Sequence, residues 1–256
     1  MAKKAHGKRR KPASTEILYG THSVKAVLMR RPKDVEQLVL AGKEEYHTEL
    51  IELAQTRGID VYLVTWPEFQ KFGRFTKTDK HQGVAAKVRL RRIYSLADFD
   101  RLKSAHCITL LDQVSNPQNF ATILRSAAFF RTDAVVFMTH RTATPTPEVV
   151  RFAVGGAEFL DLYCVTNLAQ AIDQLREMGF IVLGLDERGK RTLAHIDVTE
   201  QIAFVVGAEG EGLRAKTKQH CTELVRIPGG CRGLESLNAG VAATIALYEF
   251  GRLRDT

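Results

Sequence analysis

The sequence predicts an α/β protein in two unequal parts: a small N-terminal α/β domain and a larger domain built on a mostly parallel sheet. Three observations carry this. Short apolar runs alternate with helical patterns along the chain, the alternation becomes regular after about residue 105, and a basic stretch near residue 90 separates the two parts. A length of 256 residues suits one large domain or two small ones.

In the first part, Gln37–Ala41 (QLVLA), Asp60–Val64 (DVYLV) and Gly83–Val88 (GVAAKV) read as short buried strands. Ile17–Met29 reads as helical, entered through Gly20-Thr21-His22-Ser23. Glu44–Arg57 places Tyr46, Leu50, Ile51, Leu53 and Ala54 on one helical face. Lys71–Lys80, basic and rich in small polar residues, reads as an exposed loop. Arg89–Arg92 (RLRR) begins a connection, with a short helix over Tyr94–Lys103. The chain thus divides into a tail at 1–15, an N-terminal domain at 16–92, a linker at 93–104 and a second domain at 105–256.

In the second part the strands are Ile108–Leu111, Ala134–Met138, Ile181–Leu185, Ala203–Gly207 and Leu224–Ile227. The helices are Asn119–Phe130, Pro147–Val154, Leu168–Met178 and Ser236–Leu253. Such sheets are covered on both faces and gather ligands at the carboxyl ends of their strands. Residues that follow each strand are therefore the first candidates for function.

Net charge is +8, and six of those positives sit in the tail, at Lys3, Lys4, Lys8, Arg9, Arg10 and Lys11, which leaves +2 for the rest. A cationic arm of this kind suits a polyanion, because each Lys or Arg that replaces a condensed counterion gains entropy from its release. No run approaches the roughly 18 to 20 apolar residues of a membrane span, and the basic N-terminus has no apolar stretch behind it. Cys107, Cys164, Cys221 and Cys231 are scattered without metal-ligand spacing, and the eight histidines form no ligand pattern. Together these features predict a cytoplasmic protein with no membrane partner and no metal.

Three segments that follow strands carry chemistry. In Leu110–Phe130, Phe120, Ile123, Leu124, Ala127 and Ala128 form one buried stripe. Asn119 stands at the cap position and Arg125 lies outside the stripe, a polar pair facing an anionic substrate. In Phe204–Thr217, Gly207, Gly210 and Gly212 with two glutamates follow a buried strand, as in a ligand loop. The glycine order GxxGxG is not the dinucleotide fingerprint. In Val225–Phe250, a Gly-rich loop at Gly229, Gly230 and Gly233 leads to Ser236 as cap of a long helix with Leu237, Val241, Ile245 and Tyr248 inward. Ser236 and Asn238 present polar groups where backbone amides are free. A fourth segment, Gly184–Lys190, matches GxxxxGK, but Arg191 replaces the Ser or Thr that would hold magnesium. It reads as a charged surface hairpin.

Taken together, NPQNFATILRSA, FVVGAEGEGL and IPGGCRGLESLNAGVA resemble the three ordered motifs of the SpoU (TrmH-like) RNA 2′-O-ribose methyltransferases of the SPOUT superfamily. GTHSVKAVL and HQGVAAKV are similar, more loosely, to the family's small substrate-recognition domain. The resemblance implies a small α/β substrate-binding domain followed by a parallel-sheet domain with a C-terminal trefoil knot. It also implies S-adenosylmethionine as cofactor and a homodimer with its active sites at the interface. The implied catalytic set is Arg125, Asn119, Glu209, Ser236 and Asn238. The implied cofactor contacts are Gly207, Ala208, Gly210, Gly212, Ile227, Pro228, Ser236, Leu237 and Asn238. A guanidinium keeps its proton, so Arg125 is expected to anchor a phosphate and stabilise a developing alkoxide rather than act as a base. The third motif is one residue longer than usual, Ala239-Gly240 stands where Val-Ser is common, and Phe120 replaces a frequent glycine. All three departures are expected close to the cofactor or the dimer surface. A dinucleotide-dependent oxidoreductase lacks its fingerprint here, and methyltransferases acting on bases carry different motifs. A non-catalytic RNA-binding protein would not need to keep the five polar residues. The N-terminal domain favours ribosomal over transfer RNA, by analogy.

Overall fold

The computed structural model describes residues 14–76, 78–195, 201–231 and 236–254, and these form two sheets. All but the last two residues of the basic tail lie outside the described residues.

The first sheet contains β1 (Thr15–Tyr19), β2 (Val35–Ala41), β3 (Val61–Val64) and β4 (Val84–Arg89) in the order β1-β4-β2-β3. β4 runs antiparallel to β1 and β2, and β3 lies parallel to β2. Helices α1 (Thr21–Arg30), α2 (Thr48–Gln55) and α3 (Trp66–Gly73) accompany it. Three expectations need correction. Ile17–Tyr19 is strand, not helix, because Gly20 at φ +85° breaks the chain direction before α1 starts. Tyr46 leaves the helical face, since it ends a short 3₁₀ turn and is exposed. The start of the supposed loop at Lys71–Lys80 belongs to α3. Its N-terminus is fixed by Thr65, whose amide and hydroxyl donate to the Glu68 carboxylate at 2.9 and 2.7 Å. The T-x-x-E spacing of a capping box was the signal for that helix.

The second sheet has seven strands: β5 (Cys107–Asp112), β6 (Ala134–Met138), β7 (Asp161–Val165), β8 (Ile181–Leu185), β9 (Arg191–Thr192), β10 (Ile202–Gly207) and β11 (Glu223–Arg226). Every pairing is parallel and the order is β7-β6-β5-β10-β8-β11-β9. The helices are α4 (Pro117–Phe129), α5 (Pro147–Phe152), α6 (Leu168–Glu177), α7 (Ala215–His220) and α8 (Ala239–Arg254). β7, β9 and α7 were not foreseen. β9 has only two residues, and α7 (AKTKQH) has no apolar period to announce it.

β11, late in the chain, lies between β8 and β9, which precede it. The segment joining them must cross it. The Asp186 amide donates to the Val225 carbonyl at 3.0 Å, and a Cβ on Gly189 would fall 2.6 to 2.8 Å from backbone atoms of Leu224, Val225 and Arg226. Gly184–Lys190 is therefore a crossing over a third strand, not a hairpin, because β8 and β9 do not pair with each other.

α4 and α8 pack together on the same side of this sheet. Phe120, Ile123, Leu124 and Ala127 are fully buried, as the stripe predicts, and Ala128 is partly buried. Phe120 packs edge-on against Phe137 at 5.5 Å, in the core rather than at a ligand surface. In α8 the inward face is Ala239, Ala243, Ala246, Leu247 and Phe250. Leu237, Val241 and Tyr248, expected inward, are about half exposed. The helix carries two apolar stripes, and the small-residue stripe packs because it admits close approach to α4, where the Ser126 and Thr244 hydroxyls meet at 2.7 Å.

The connection between the domains is not a free linker. Tyr94 bridges to β7, with its amide donating to the Leu162 carbonyl and the Cys164 amide donating back, each at 2.8 Å. A 3₁₀ helix at Leu96–Leu102 sinks Phe99 and Leu102 into the second core. A buried carboxylate then locks the domains together. Glu158, after α5, has no exposed side-chain surface, and it accepts from Arg31 Nε at 2.7 Å and Arg91 Nη2 at 2.6 Å.

Replacing Glu158 by Gln leaves Arg91 without its counter-charge and Arg31 with Asp34 alone in a dry junction. Urea unfolding should report a loss of about 3 kcal/mol, the scale for removing one member of a buried ion pair; an unchanged midpoint would show that the junction does not depend on it. Cys221, just before β11, gives a second expectation. Burial, with the Asp112 charge behind it, pushes its thiol up to about 12. At pH 8 iodoacetamide should therefore modify exposed Cys231 first and reach Cys221 only on unfolding, as followed by mass spectrometry.

Candidate active site

The carboxyl ends of β8, β10 and β11 face a cavity of about 330 Å³. Its walls come from the segments that follow those strands and from the start of α8. Val206, Val225, Ile227 and Ala242 supply apolar surface. Asp186, Glu187 and Glu211 supply carboxylates. Of the expected cofactor contacts, Gly207, Ala208, Gly210, Gly212, Ile227, Ser236 and Leu237 line it. Pro228 is exposed and does not, and Asn238 stands beside it.

The loop after β10 folds back on itself. Ala208 and Gly212 exchange amide-to-carbonyl hydrogen bonds of 3.1 and 2.9 Å, which closes a tight turn with Gly210 at φ +84° and Gly212 at φ +66°. Gly207 is needed for a different reason. A Cβ there would lie 2.2 Å from the Gly212 carbonyl carbon and 2.5 Å from the Leu213 nitrogen. Its missing side chain admits the returning backbone, not a ligand.

The far end of that loop is tied to the sheet. Asp112 ends β5, fully buried, and accepts from the Arg214 amide at 3.0 Å and from Arg214 Nε at 2.6 Å. A buried carboxylate needs such partners to stay charged. Lys218 of α7 holds Asp186 on the opposite wall at 2.5 Å. Burial pushes the Asp186 carboxyl up, but the Lys218 and Arg188 contacts outweigh it and hold it below the usual range. Sequence reasoning missed Asp186, Glu187 and Lys218. The first two lay in the segment read as a surface hairpin.

Beside the cavity three polar side chains meet from three motifs. Asn119 donates through Nδ2 to Glu209 at 2.8 Å. Asn238 donates through Nδ2 to Asn119 Oδ1 at 2.9 Å and to Glu209 at 3.4 Å. A carboxylate only accepts, so both amides must turn their NH₂ groups toward Glu209. The expected caps are corrected in the same place. Asn116, not Asn119, caps α4, accepting from the Gln118 and Asn119 amides at 2.8 and 3.4 Å. Asn238, not Ser236, caps α8, accepting from the Gly240 and Val241 amides at 2.9 and 3.3 Å. Asn119 is thereby released from capping and is buried in the cluster.

Arg125 stands apart. It is exposed on α4, does not line the cavity, and makes no hydrogen bond or ion pair with any described residue. Among the described residues no group of three or more His, Cys, Asp or Glu could hold a metal ion.

Residues 106–248 match the model of the SpoU rRNA methylase family, and residues 17–94 match the model of RNA 2′-O ribose methyltransferase substrate binding. The chain is 36% identical over 249 residues to the 23S rRNA (guanosine-2′-O-)-methyltransferase RlmB of Photorhabdus laumondii, covering 94% of this chain and 100% of that protein. The RlmB of Escherichia coli K12 is 33% identical over 247 residues, covering 94% and 99%. Among solved structures, the AdoMet complex of the SpoU methyltransferase AviRb from Streptomyces viridochromogenes superposes with a TM-score of 0.77 at 22% identity, covering 98% of this chain and 95% of that one. An AdoMet-bound rRNA methyltransferase from Sinorhizobium meliloti gives 0.75 at 23%, covering 93% and 87%. The structural likenesses show the fold, and by the two family models and the identity over nearly its whole length the chain belongs to the SpoU rRNA methylase family, with a match to the RNA 2′-O ribose methyltransferase substrate-binding domain ahead of it.

Proposed function

We propose that the chain transfers a methyl group from S-adenosylmethionine to a ribose 2′-hydroxyl of ribosomal RNA, with 23S rRNA as substrate. The observation that carries this is the Asn119–Glu209–Asn238 cluster at the edge of the cavity. Alignment to the RlmB proteins over nearly their whole length supports the choice of RNA.

The cavity fits the cofactor. Its volume of about 330 Å³ falls in the range of small-molecule sites. Val206, Val225, Ile227 and Ala242 would take the flat apolar base, and Glu187 and Asp186 would accept from hydroxyl or amino groups. When bound, S-adenosylmethionine supplies an activated sulfonium methyl group. The protein's task is the acceptor, because a neutral ribose hydroxyl is a poor nucleophile. Glu209, held by two amides, keeps lone pairs to orient that hydroxyl or its neighbour. Ser236 and Asn238 shape the wall from which α8 starts. Such alignment contributes several kcal/mol, up to roughly 7 to 11 in ideal cases. Arg125 anchors the adjacent phosphate while its guanidinium donors stabilise the developing alkoxide.

Arg125 reaches that role in a homodimer. The exposed Phe129 of α4 and the exposed Leu237, Val241 and Tyr248 at α8 form an apolar face around the same helix pair. A second copy on this face brings Arg125 to a joint between protomers. The position of β11 between β8 and β9 supports a trefoil knot in the C-terminal part. No described helix is long and apolar enough to cross a membrane, which suits a cytoplasmic site of action.

Titration calorimetry with S-adenosylmethionine tests the cofactor assignment. The parent should bind saturably, and Gly207→Ala should lose at least about tenfold in affinity, because its Cβ collides with the returning loop; no binding by the folded parent would leave a non-catalytic RNA-binding protein. Arg125→Ala should keep the cofactor affinity and lose about a hundredfold in kcat on deproteinised 23S rRNA, the scale for removing one transition-state donor. Methylation at the parent rate would remove Arg125 from the mechanism.

A further inference from the structure

A second cavity, of about 470 Å³, opens at the junction of the two domains. Gly20, His22 and Ser23 from the start of α1 line it, with Lys80 and Gln82 from the turn before β4 and Arg151 from α5 of the catalytic domain. Three of the six carry or can carry positive charge, and none is a carboxylate. GTHSV and HQG, the two stretches that resemble the substrate-recognition domain, meet here.

The cations at this junction fall into two groups. Arg31 and Arg91 are neutralised by Glu158, which they share, and by Asp34, 3.1 Å from Arg31. Arg151, Lys80 and His22 form no ion pair among the described residues. Arg151 is nonetheless held firmly. Its guanidinium lies 4.2 Å from the Phe152 ring centroid and 5.8 Å from that of Tyr19. Its buried Nε has no hydrogen-bond acceptor. Asp79, whose carboxyl is lowered mainly by Thr76 and only slightly by Arg151, is engaged by the Thr76 amide at 2.7 Å and hydroxyl at 2.9 Å. Gln82 is also committed, accepting from the Thr21 amide at 3.2 Å. Gly20 at the N-cap of α1 offers no side-chain acceptor, so beyond the Thr21 amide taken by Gln82 the His22 and Ser23 amides add positive potential at the same point.

A guanidinium on an aromatic platform, an exposed lysine and a helix start with its His22 and Ser23 amides still open together match a phosphodiester. We propose that this cavity is a phosphate clamp that grips one backbone phosphate of the RNA between Arg151 of the catalytic domain and Lys80 and His22 of the N-terminal domain. The proposal rests on the reading that the chain acts on RNA. Because Glu158 fixes the domains to each other, the clamp sits at a set distance from the cofactor cavity and fixes the register of the RNA against it.

The test is the salt dependence of binding of the full-length protein to labelled, deproteinised 23S rRNA, from about 50 to 200 mM KCl. The double variant Lys80→Gln, Arg151→Gln should bind about tenfold more weakly, with the slope of log K against log salt reduced in magnitude by about one. S-adenosylmethionine affinity should stay at the parent value. Arg151→Lys, which keeps the charge, should recover most of the slope, and this separates charge from packing lost at the rings. Parent affinity and slope in a folded double variant would overturn the clamp alone. No RNA binding by the parent would overturn the RNA reading and the clamp with it. Binding of inorganic phosphate that the double variant loses, with the RNA slope unchanged, would mark a free-anion site and also overturn the proposal.

Discussion

The passage of β11 between β8 and β9 is the constraint on which the rest of the catalytic domain depends. It places the carboxyl ends of β8, β10 and β11 side by side, and it presses the 186–190 crossing onto the backbone of β11 so closely that Gly189 has no room for a side chain. Three segments far apart in sequence thus share one cavity. A parallel sheet puts ligands at the carboxyl ends of its strands. Here the insertion of a late strand among earlier ones adds a wall that a simple doubly wound sheet would lack.

Charge is then distributed by how well each group is paired. Asp112, fully buried, is satisfied by Arg214, and this tie fixes the exit of the loop after β10. Glu158, equally dry, is shared between Arg31 and Arg91 and fixes the domains. Glu209 is held by neutral amides, so it is positioned without being neutralised. Arg125 and Arg151 are left without a carboxylate partner among the described residues, one on the exposed side of α4 and one at the junction. The paired charges build the frame, and the unpaired ones take no part in it.

Much of this was legible in the residues. The regular strand–helix alternation after residue 105 gave the parallel sheet, and the polar residues of the three motifs do converge, at Asn119, Glu209 and Asn238. What failed did so for physical reasons. Periodicity cannot choose between two apolar stripes on one helix, so α8 was turned the wrong way, with Val241 and Tyr248 inward instead of Ala243 and Ala246. Capping residues compete locally, and Asn116 and Asn238 took the roles assigned to Asn119 and Ser236. The segment Glu187–Arg188 looked like a surface turn because nothing in a linear pattern announces that a strand some 35 residues later will slide beneath it.

The order of the strands also sets a timetable. During synthesis β8 and β9 are complete well before β11 exists, and the start of α8, which closes the cavity, comes later still. A nascent chain therefore has a folded N-terminal sheet long before it can own a pocket. Pairings between distant segments form slowly, because chain closure is costly before any contact offsets it. The enzyme is consequently inert until its last fifth has left the ribosome. An interrupted translation product would retain the domain that matches the substrate-binding model and lack the walls of the cavity.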